Sequence, residues 1–261
     1  MKKLIAKAIV GIAALFCLFP FAVTLLGSFL PKGMPLILGR ELFQNATLEQ
    51  YEELLLRSPQ YLMWFWNSVK IAVLTLLIAI PLSLMAAYGF SQFRFPGRDA
   101  LFFLYIIVML MPFQATLVPQ YITLNSLNLL DTLQAVVFPN GFSAFGAFLM
   151  TQFMRGIDRE ILDAAQVDGV SDVGSFFYIV VPMSRTAISA LSVLLFIESW
   201  SMIEQPMIFL TDQAKLPLSL YLGNLSSSLL AGGVVFFILP LLVYLLSYDD
   251  LVEGIGHSGI K

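Results

Sequence analysis

The chain has 261 residues, of which 59% are hydrophobic and 12% are charged, and its mean hydropathy is +0.86. Soluble domains carry about 25% charged residues, so the composition excludes a water-soluble globule and predicts an integral membrane protein. The net charge of −3 and the isoelectric point near 5.1 argue against nucleic acid as a partner, because phosphate binding needs a basic surface. With one cysteine and one histidine, the sequence predicts no disulfide within the chain and no metal site.

Six apolar runs are long enough to cross a bilayer, whose core is about 30 Å thick and needs roughly 20 residues per helix. They cover residues 8–30, 67–90, 99–118, 134–154, 187–210 and 229–247. The sequence therefore predicts an all-α integral membrane fold with six transmembrane helices in a single transmembrane domain, residues 1–261. Although lysines precede the first run as in a signal peptide, its length of about 23 residues exceeds the roughly 7–15 of a secretory segment, and we expect a retained helix.

The distribution of basic residues predicts the orientation of these helices. With the N-terminus inside, nine basic residues fall in cytoplasmic segments and four in outer ones. Cytoplasmic loops carry the excess of Lys and Arg in membrane proteins, so both termini are predicted to be cytoplasmic. The longest outer segment is then residues 31–66, in which Leu48–Arg57 has helix-like polarity, and the longest cytoplasmic loop is residues 155–186.

The cytoplasmic loop contains a short pattern of small, acidic and turn-forming residues. The members of the pattern are Asp163, Ala164, Ala165, Asp168, Gly169 and Pro182. The two alanines leave a smooth helix face that another backbone can approach, and Gly169 can adopt a positive φ that turns the chain sharply. Acidic residues outnumber basic ones in the loop, which disfavours docking on anionic lipid and favours a protein groove. The pattern predicts helix, turn and second helix at a docking surface.

At these positions the sequence resembles the permease subunits of bacterial ABC importers, the binding-protein-dependent transport inner-membrane components, whose loop carries an "EAA…G…P" signature. Asp163 stands where that family usually has Glu, and Val181 where Leu is usual. The resemblance covers most of the chain, including Tyr88–Arg98, Met111–Pro119 and Phe196–Pro206, and is closest to maltose-G-like permeases of carbohydrate uptake.

The resemblance implies a multi-pass protein of the bacterial inner membrane, in contact with lipid, that forms half of a translocation pathway for a sugar or oligosaccharide. It further implies a second permease subunit, two ATPase subunits and an extracytoplasmic solute-binding protein as partners. The six coupling residues above would seat the loop in an ATPase subunit. Since the sequence has no Gly-x-x-x-x-Gly-Lys-Ser/Thr phosphate loop, we expect no cofactor on this chain, with ATP and Mg²⁺ bound by the partner ATPase, and no enzymatic activity of its own.

Polar residues inside the predicted spans are candidates for the substrate pathway, because polar groups within a membrane usually face a cavity or a partner. The candidates are Glu198, Trp200, Glu204, Gln205, Gln114 and Asn140. On a continuous fifth helix, Ser201 and Gln205 fall within about 60° of Glu198, and Trp200 and Glu204 form an i, i+4 pair on another face. Carboxylates and amides suit sugar hydroxyls, and the Trp200 ring suits a sugar's C–H face. Interhelical hydrogen bonds or a contact with the second permease are the alternative roles.

Two alternative functions remain open at the level of the sequence. One is a permease of the same superfamily for an amino acid or a phosphorylated polyol. The other is a membrane enzyme acting on lipid-linked substrates, which would need clustered acid–base or metal-binding residues. The acidic residues of the 155–186 loop lie on an Ala-Ala helix without His or Cys nearby, which favours docking over catalysis.

Overall fold

The structure is a computed structural model that describes residues 2–34, 44–222 and 230–251. All regular structure in these ranges is helical. The helices are α1 (Lys2–Gly27), α2 (Glu49–Leu56), α3 (Pro59–Gln92), α4 (Arg98–Leu110), α5 (Phe113–Ser126), α6 (Leu133–Gly141), α7 (Ala144–Met154), α8 (Arg159–Val167), α9 (Asp172–Met183), α10 (Arg185–Ser201), α11 (Glu204–Phe209), α12 (Leu218–Leu222) and α13 (Leu230–Leu246).

Three helical segments are long and apolar enough to cross a membrane by themselves: Ala6–Gly27, Pro59–Gln92 and Leu133–Met154. The number rises to five if the bent pairs α4–α5 and α9–α10 each form one span, and α13 is a shorter apolar helix of 17 residues. Each predicted span thus coincides with apolar helix in the described part of the chain. The six-span count and the orientation stay predictions. Residues 35–43 of the predicted outer segment, residue 229 of the sixth run and the tail 252–261 lie outside the described residues.

The long helix α3 is the centre of the structure and packs against α6, α7 and α10. Small residues allow these helices to approach closely, as is usual between membrane helices. A Cβ atom on Gly146 of α7 would collide with the Ser83 Oγ atom of α3. The resulting core includes Ala87 and Tyr88 of α3, Met150 of α7 and Leu191 of α10, all of which are buried.

The remaining long helix, α1, packs along α13, with the Phe21 and Phe237 rings 5.0 Å apart, edge to face. Its C-terminal carbonyl groups need partners, because the last turn of a helix leaves them without intrahelical bonds. The buried Gln50 side chain of α2 donates through Nε2 to the carbonyl oxygens of Gly27 at 3.1 Å and Leu30 at 2.7 Å. The helix predicted within Leu48–Arg57 is therefore confirmed, and it caps α1.

Prolines break two of the predicted spans. The predicted third span, 99–118, is not one helix, because α4 and α5 meet at an angle of 101° around Met111 and Pro112. The predicted fifth span, 187–210, is also not continuous, since α10 ends at Ser201 and α11 begins at Glu204. A proline ring clashes with the carbonyl group four residues earlier, so Pro206 favours a break at Met202, although α3 and α13 continue through Pro81 and Pro240. In the fourth span α6 ends at Gly141 and α7 begins at Ala144, with a short interruption at Phe142 and Ser143.

Candidate functional site: a polar cavity and the coupling loop

A polar cavity of about 240 Å³ lies where α5, α6, α10 and α11 come together. Its lining consists of Phe113, Asn140, Glu198, Met202, Ile203, Glu204 and Gln205. The break between α10 and α11 builds this site, because the extended backbone at Met202 lets Glu198 and Gln205 reach the same space from different helices. We call this space the polar cavity.

Hydrogen bonds connect the amide side chains around the polar cavity. Asn140 donates through Nδ2 to Gln205 Oε1 and, at 2.7 Å, to the backbone carbonyl of Val136. Gln205 in turn donates through Nε2 to Gln120 Oε1 at 3.3 Å. Gln114 Nε2 lies 3.3 and 3.4 Å from the two carboxylate oxygens of Glu204. The amides therefore tie α5, α6 and α11 together and still present polar edges to the cavity.

The structure brings together five of the six sequence candidates. Glu198, Glu204, Gln205 and Asn140 line the polar cavity, and Gln114 joins them through Glu204. The prediction of one continuous fifth helix was wrong, because α10 ends at Ser201, before Glu204. Glu198 and Gln205 therefore do not share a face of one helix, and Trp200 and Glu204 are not an i, i+4 pair.

Trp200, the sixth candidate, lies away from the cavity and is 1% exposed. Its ring is stacked on Phe196, with centroids 5.7 Å apart, and also contacts Phe65 and Phe236. Its Nε1 atom donates to the backbone carbonyl of Phe236 at 3.1 Å. In this arrangement no face of the ring is open to a sugar. The Trp200 ring therefore packs between α3, α10 and α13, whereas it was expected to stack on a sugar.

A second cavity of about 240 Å³ adjoins the polar cavity and shares Phe113, Asn140, Glu198 and Gln205 with it. It adds Gln120 and the hydroxyl groups of Thr75, Thr116, Ser143 and Ser199 to the polar lining. Gln120 was not among the sequence candidates, and it lies just beyond the predicted third span, 99–118. A larger cavity of about 510 Å³ runs along α5 and is lined mainly by apolar side chains, with Thr116, Gln120 and Thr123 as its polar members.

The predicted coupling loop, residues 155–186, forms two helices that lie at the C-terminal end of α3. Helix α8 ends at Val167, and Gly169 follows with a φ of +84°, the left-handed conformation that the turn requires. Ser171 caps α9 by accepting a hydrogen bond from the Gly174 backbone N–H at 3.2 Å. The predicted order of helix, glycine turn and second helix is confirmed.

Contacts with α3 and within the loop hold its two helices in place. The Tyr88 hydroxyl donates to the Asp172 backbone carbonyl at 3.1 Å, and Gln92 Nε2 donates to the Met154 carbonyl at 2.9 Å. Gln166 Nε2 donates to Asp172 Oδ1 at 3.0 Å, across the turn. The position of the loop is therefore set by the central helix α3.

The two alanines of the loop face different directions. Ala165 is 8% exposed and packs inside the loop, whereas Ala164, Asp163, Asp168 and Gly169 are exposed. Of the two alanines expected to leave a smooth helix face, Ala164 is exposed, whereas Ala165 is turned toward its own chain. Large apolar side chains are also exposed on the loop: Val167, Val173, Phe177 and Tyr178. Pro182, in the last turn of α9, is exposed as well.

Comparisons with known proteins agree on one family. The model of the family described as binding-protein-dependent transport system inner membrane component matches residues 79–255. The chain is 30% identical to the arabinooligosaccharides transport system permease protein AraQ of Bacillus subtilis (strain 168), over 95% of this chain and 92% of the relative. It is 27% identical to the lactose transport system permease protein LacG of Rhizobium radiobacter, over 99% and 96%. It is 28% identical to the sn-glycerol-3-phosphate transport system permease protein UgpE of Yersinia enterocolitica, over 95% and 93%.

Solved structures support the same fold. A chain from the crystal structure of a bacterial ABC transporter involved in the import of the acidic polysaccharide alginate matches with a TM-score of 0.82 and 19% identity, over 95% of both chains. A chain from the alginate transporter in complex with an alginate pentasaccharide-bound periplasmic protein matches with a TM-score of 0.64 and 16% identity, over 94% of this chain and 92% of that chain. At these identities the likeness establishes the architecture.

Proposed function

Because the chain belongs to the family of binding-protein-dependent transport system inner membrane components, we propose that it forms half of the translocation pathway for a sugar or oligosaccharide. It is a multi-pass protein of the bacterial inner membrane and a transport subunit rather than an enzyme. The observation that carries the proposal is the polar cavity, in which amide and carboxylate side chains from α6, α10 and α11 converge. Such a lining suits a solute rich in hydroxyl groups, which donate and accept hydrogen bonds.

The proposed partners follow from the family and from the exposed surfaces of the chain. A second permease subunit would complete the pathway, and an extracytoplasmic solute-binding protein would deliver the solute. Two ATPase subunits would bind ATP and Mg²⁺ and supply the energy, while this chain holds no cofactor. We expect the whole chain to act as a single transmembrane domain with both termini in the cytoplasm.

The coupling loop is the proposed contact with the ATPase. Its exposed acidic groups at Asp163 and Asp168 would face a basic groove, and the exposed side chains of Val167 and Tyr178 would provide apolar contact. The loop is attached to α3 through Tyr88, and α3 also packs against α6 and α10, which carry cavity residues. A shift of the loop on nucleotide binding would therefore be passed to the cavity through α3.

The alternatives are less well supported. An amino acid permease has no counterpart among the relatives described above. A membrane enzyme is not favoured by the comparisons, since the relatives are named as transport system permease proteins. A phosphorylated polyol is the solute named for one relative.

Conservative substitutions in the cavity test the proposed function. In the complete transporter, Glu198→Gln and Glu204→Gln should leave complex yield and basal ATPase activity unchanged, because an uncharged amide of nearly the same size is easier to bury than a carboxylate. At least one of the two should change solute uptake severalfold, because the amide replaces one acceptor oxygen by a donor and so alters the hydrogen bonds offered to the hydroxyl groups of the solute. Leu194→Ala, at an exposed position on α10 outside the cavity, is the matched control and should keep normal uptake. If both Gln variants lose complex yield while the assembled remainder transports normally, the two glutamates hold subunits together and the assignment fails.

A further inference from the structure

We propose that Glu198 and Glu204 make this half of the pathway selective for uncharged or cationic hydroxylated solutes and exclude anionic ones. The inference rests on the proposed function, since it requires the solute to pass the polar cavity. It narrows the substrate class from sugars and phosphorylated polyols to solutes without a phosphate or carboxylate group. The relatives do not make this distinction, because their names include lactose as well as sn-glycerol-3-phosphate.

When they are ionised, the two carboxylates have no positively charged side chain beside them in the part of the chain that the structure describes. Among the residues that the structure describes, neither Glu198 nor Glu204 forms an ion pair. The lining of the polar cavity and of the adjoining cavity includes no Lys, Arg or His within the described ranges. The side chain of Gln114 reaches Glu204, but an amide has no net charge and leaves the charge of the carboxylate in place.

Uncompensated charge of one sign in a concave site acts strongly on a charged solute. Low-dielectric walls focus the field into the cavity, so an anion is repelled there and a cation is attracted. An uncharged sugar is unaffected by the net charge and still gains hydrogen bonds to the carboxylate oxygens. Glu198 and Glu204 therefore discriminate by charge while they remain acceptors for hydroxyl groups.

One buried polar atom in the lining of the adjoining cavity lacks a hydrogen-bond partner among the described residues. The Thr75 side chain, which lines the adjoining cavity, is 1% exposed, and its Oγ1 atom has no hydrogen-bond partner among the described residues. Buried polar atoms are normally paired, and a solute hydroxyl in this cavity would supply the missing partner. The amides of Asn140, Gln205 and Gln120 lie along the same lining. The site thus combines hydroxyl recognition with negative charge.

The local potential can be measured without knowing the natural solute. In the complete transporter in membrane vesicles, Ile203→Cys in a Cys17→Ser background places one thiol in the polar cavity. The thiol is labelled with methanethiosulfonates that carry an uncharged methyl, a cationic trimethylammonium-ethyl or an anionic sulfonatoethyl group. The rates are normalised to those of Ser126→Cys, at an exposed position at the end of α5.

We expect the cationic reagent to react faster than the anionic one with the thiol of Ile203→Cys. Removal of each carboxylate by Glu198→Gln or Glu204→Gln should lower the ratio of the two rates about fivefold, the effect of one unit charge on oppositely charged reagents several ångströms away in a wet cavity. Asp249→Asn, which removes an exposed acidic residue outside both cavities, should leave the ratio unchanged.

The possible outcomes separate this inference from the proposed function. If even the uncharged reagent fails to label Ile203→Cys, water does not reach the cavity and the pathway assignment fails together with the inference. If the uncharged reagent labels this thiol but the ratio of cationic to anionic rates is near that of Ser126→Cys and insensitive to both Gln variants, the cavity is an aqueous route without charge selectivity. The inference is then wrong and the proposed function stands.

Discussion

The carboxylate of Asp131 lies 2.9 Å from the Nζ atom of Lys215, and this ion pair joins the turn between α5 and α6 to the segment that follows α11. Asp131 Oδ1 also accepts hydrogen bonds from the backbone N–H groups of Asp212 at 2.9 Å and Thr211 at 3.0 Å. The backbone N–H of Asp212, the Lys215 ammonium and the N–H of Thr211 hold the pKa of Asp131 well below its ordinary value of 3.8. The charged carboxylate thus fastens the segment next to α11, and α11 carries Glu204 and Gln205.

The pH dependence of this contact has a defined sign. Because the pKa of Asp131 is lower in the folded chain, the contribution of Asp131 to the stability of the fold is fully present above pH 3.8. This contribution is lost as the pH falls below that value. The hydrogen bond to Asp131 raises the pKa of Lys215 above 10.5, so the contribution of Lys215 is present below that pH. We expect Asp131→Asn to lower the melting temperature by a constant amount between about pH 5 and 9, with a smaller difference below pH 4.

Thermal melting of the purified transporter over this pH range measures the effect. Asp212→Asn is the matched control, since Asp212 lies 3.5 Å from Lys215 and pairs more weakly with it. A difference between wild type and Asp131→Asn that grows toward low pH would contradict the assignment of this contact.

The burial of Trp200 predicts a structural rather than a transport phenotype. Trp200→Ala should destabilise the protein by about 3–5 kcal/mol, the usual cost of truncating a buried aromatic side chain, and should lower the yield of the complex. Trp200→Phe keeps a ring beside Phe196 and loses only the hydrogen bond to Phe236, worth about 1 kcal/mol. Melting temperature and uptake per assembled complex are the measurements. If Trp200→Ala melts normally but changes the solute profile, the ring has a direct role in recognition.

The opposite orientations of Ala164 and Ala165 predict two different defects. Ala164→Asp adds a charge at an exposed position, so the permease should fold normally and lose its association with the ATPase subunits. Ala165→Asp places a carboxylate inside the loop, where an unpaired charge costs several kcal/mol, so the permease itself should be destabilised. Permease yield and co-purification of the ATPase distinguish the two, with Ala164→Ser as a mild control. Full association in Ala164→Asp would exclude this face of α8 from the interface.

The predicted orientation is testable with single cysteines in the Cys17→Ser background. Gln213→Cys and Pro96→Cys both place a thiol at an exposed position, one after α11 and the other between α3 and α4. A membrane-impermeant thiol reagent added to intact cells should label Gln213→Cys fully and Pro96→Cys hardly at all. After permeabilisation both variants should react, which controls for reactivity. The reverse pattern would overturn the orientation inferred from the basic residues.

Several features of this protein are encoded locally, and the sequence alone was sufficient to predict them. Apolar runs indicate membrane helices because the bilayer sets their length. The turn at Gly169 was predictable because glycine adopts a positive φ at little cost, and the pattern from Asp163 to Pro182 indicated the family that the comparisons confirm. The polar candidates followed from the cost of a polar group in a membrane. Even the end of α10 has a local signal in Pro206, although the fifth span was predicted as one continuous helix.

The tertiary structure decided what each side chain faces. Asn140 and Gln205 are 65 residues apart and meet because α6 packs beside α11, and Trp200 is buried because α13 brings Phe236 against it. Ala165 turns inward because the return of the chain after Gly169 covers it. In each case the deciding contact comes from a segment whose position depends on helix packing rather than on the residue's own neighbours in sequence. A polar or aromatic residue in an apolar helix signals that a partner exists, and only the packing of the helices determines which partner it is.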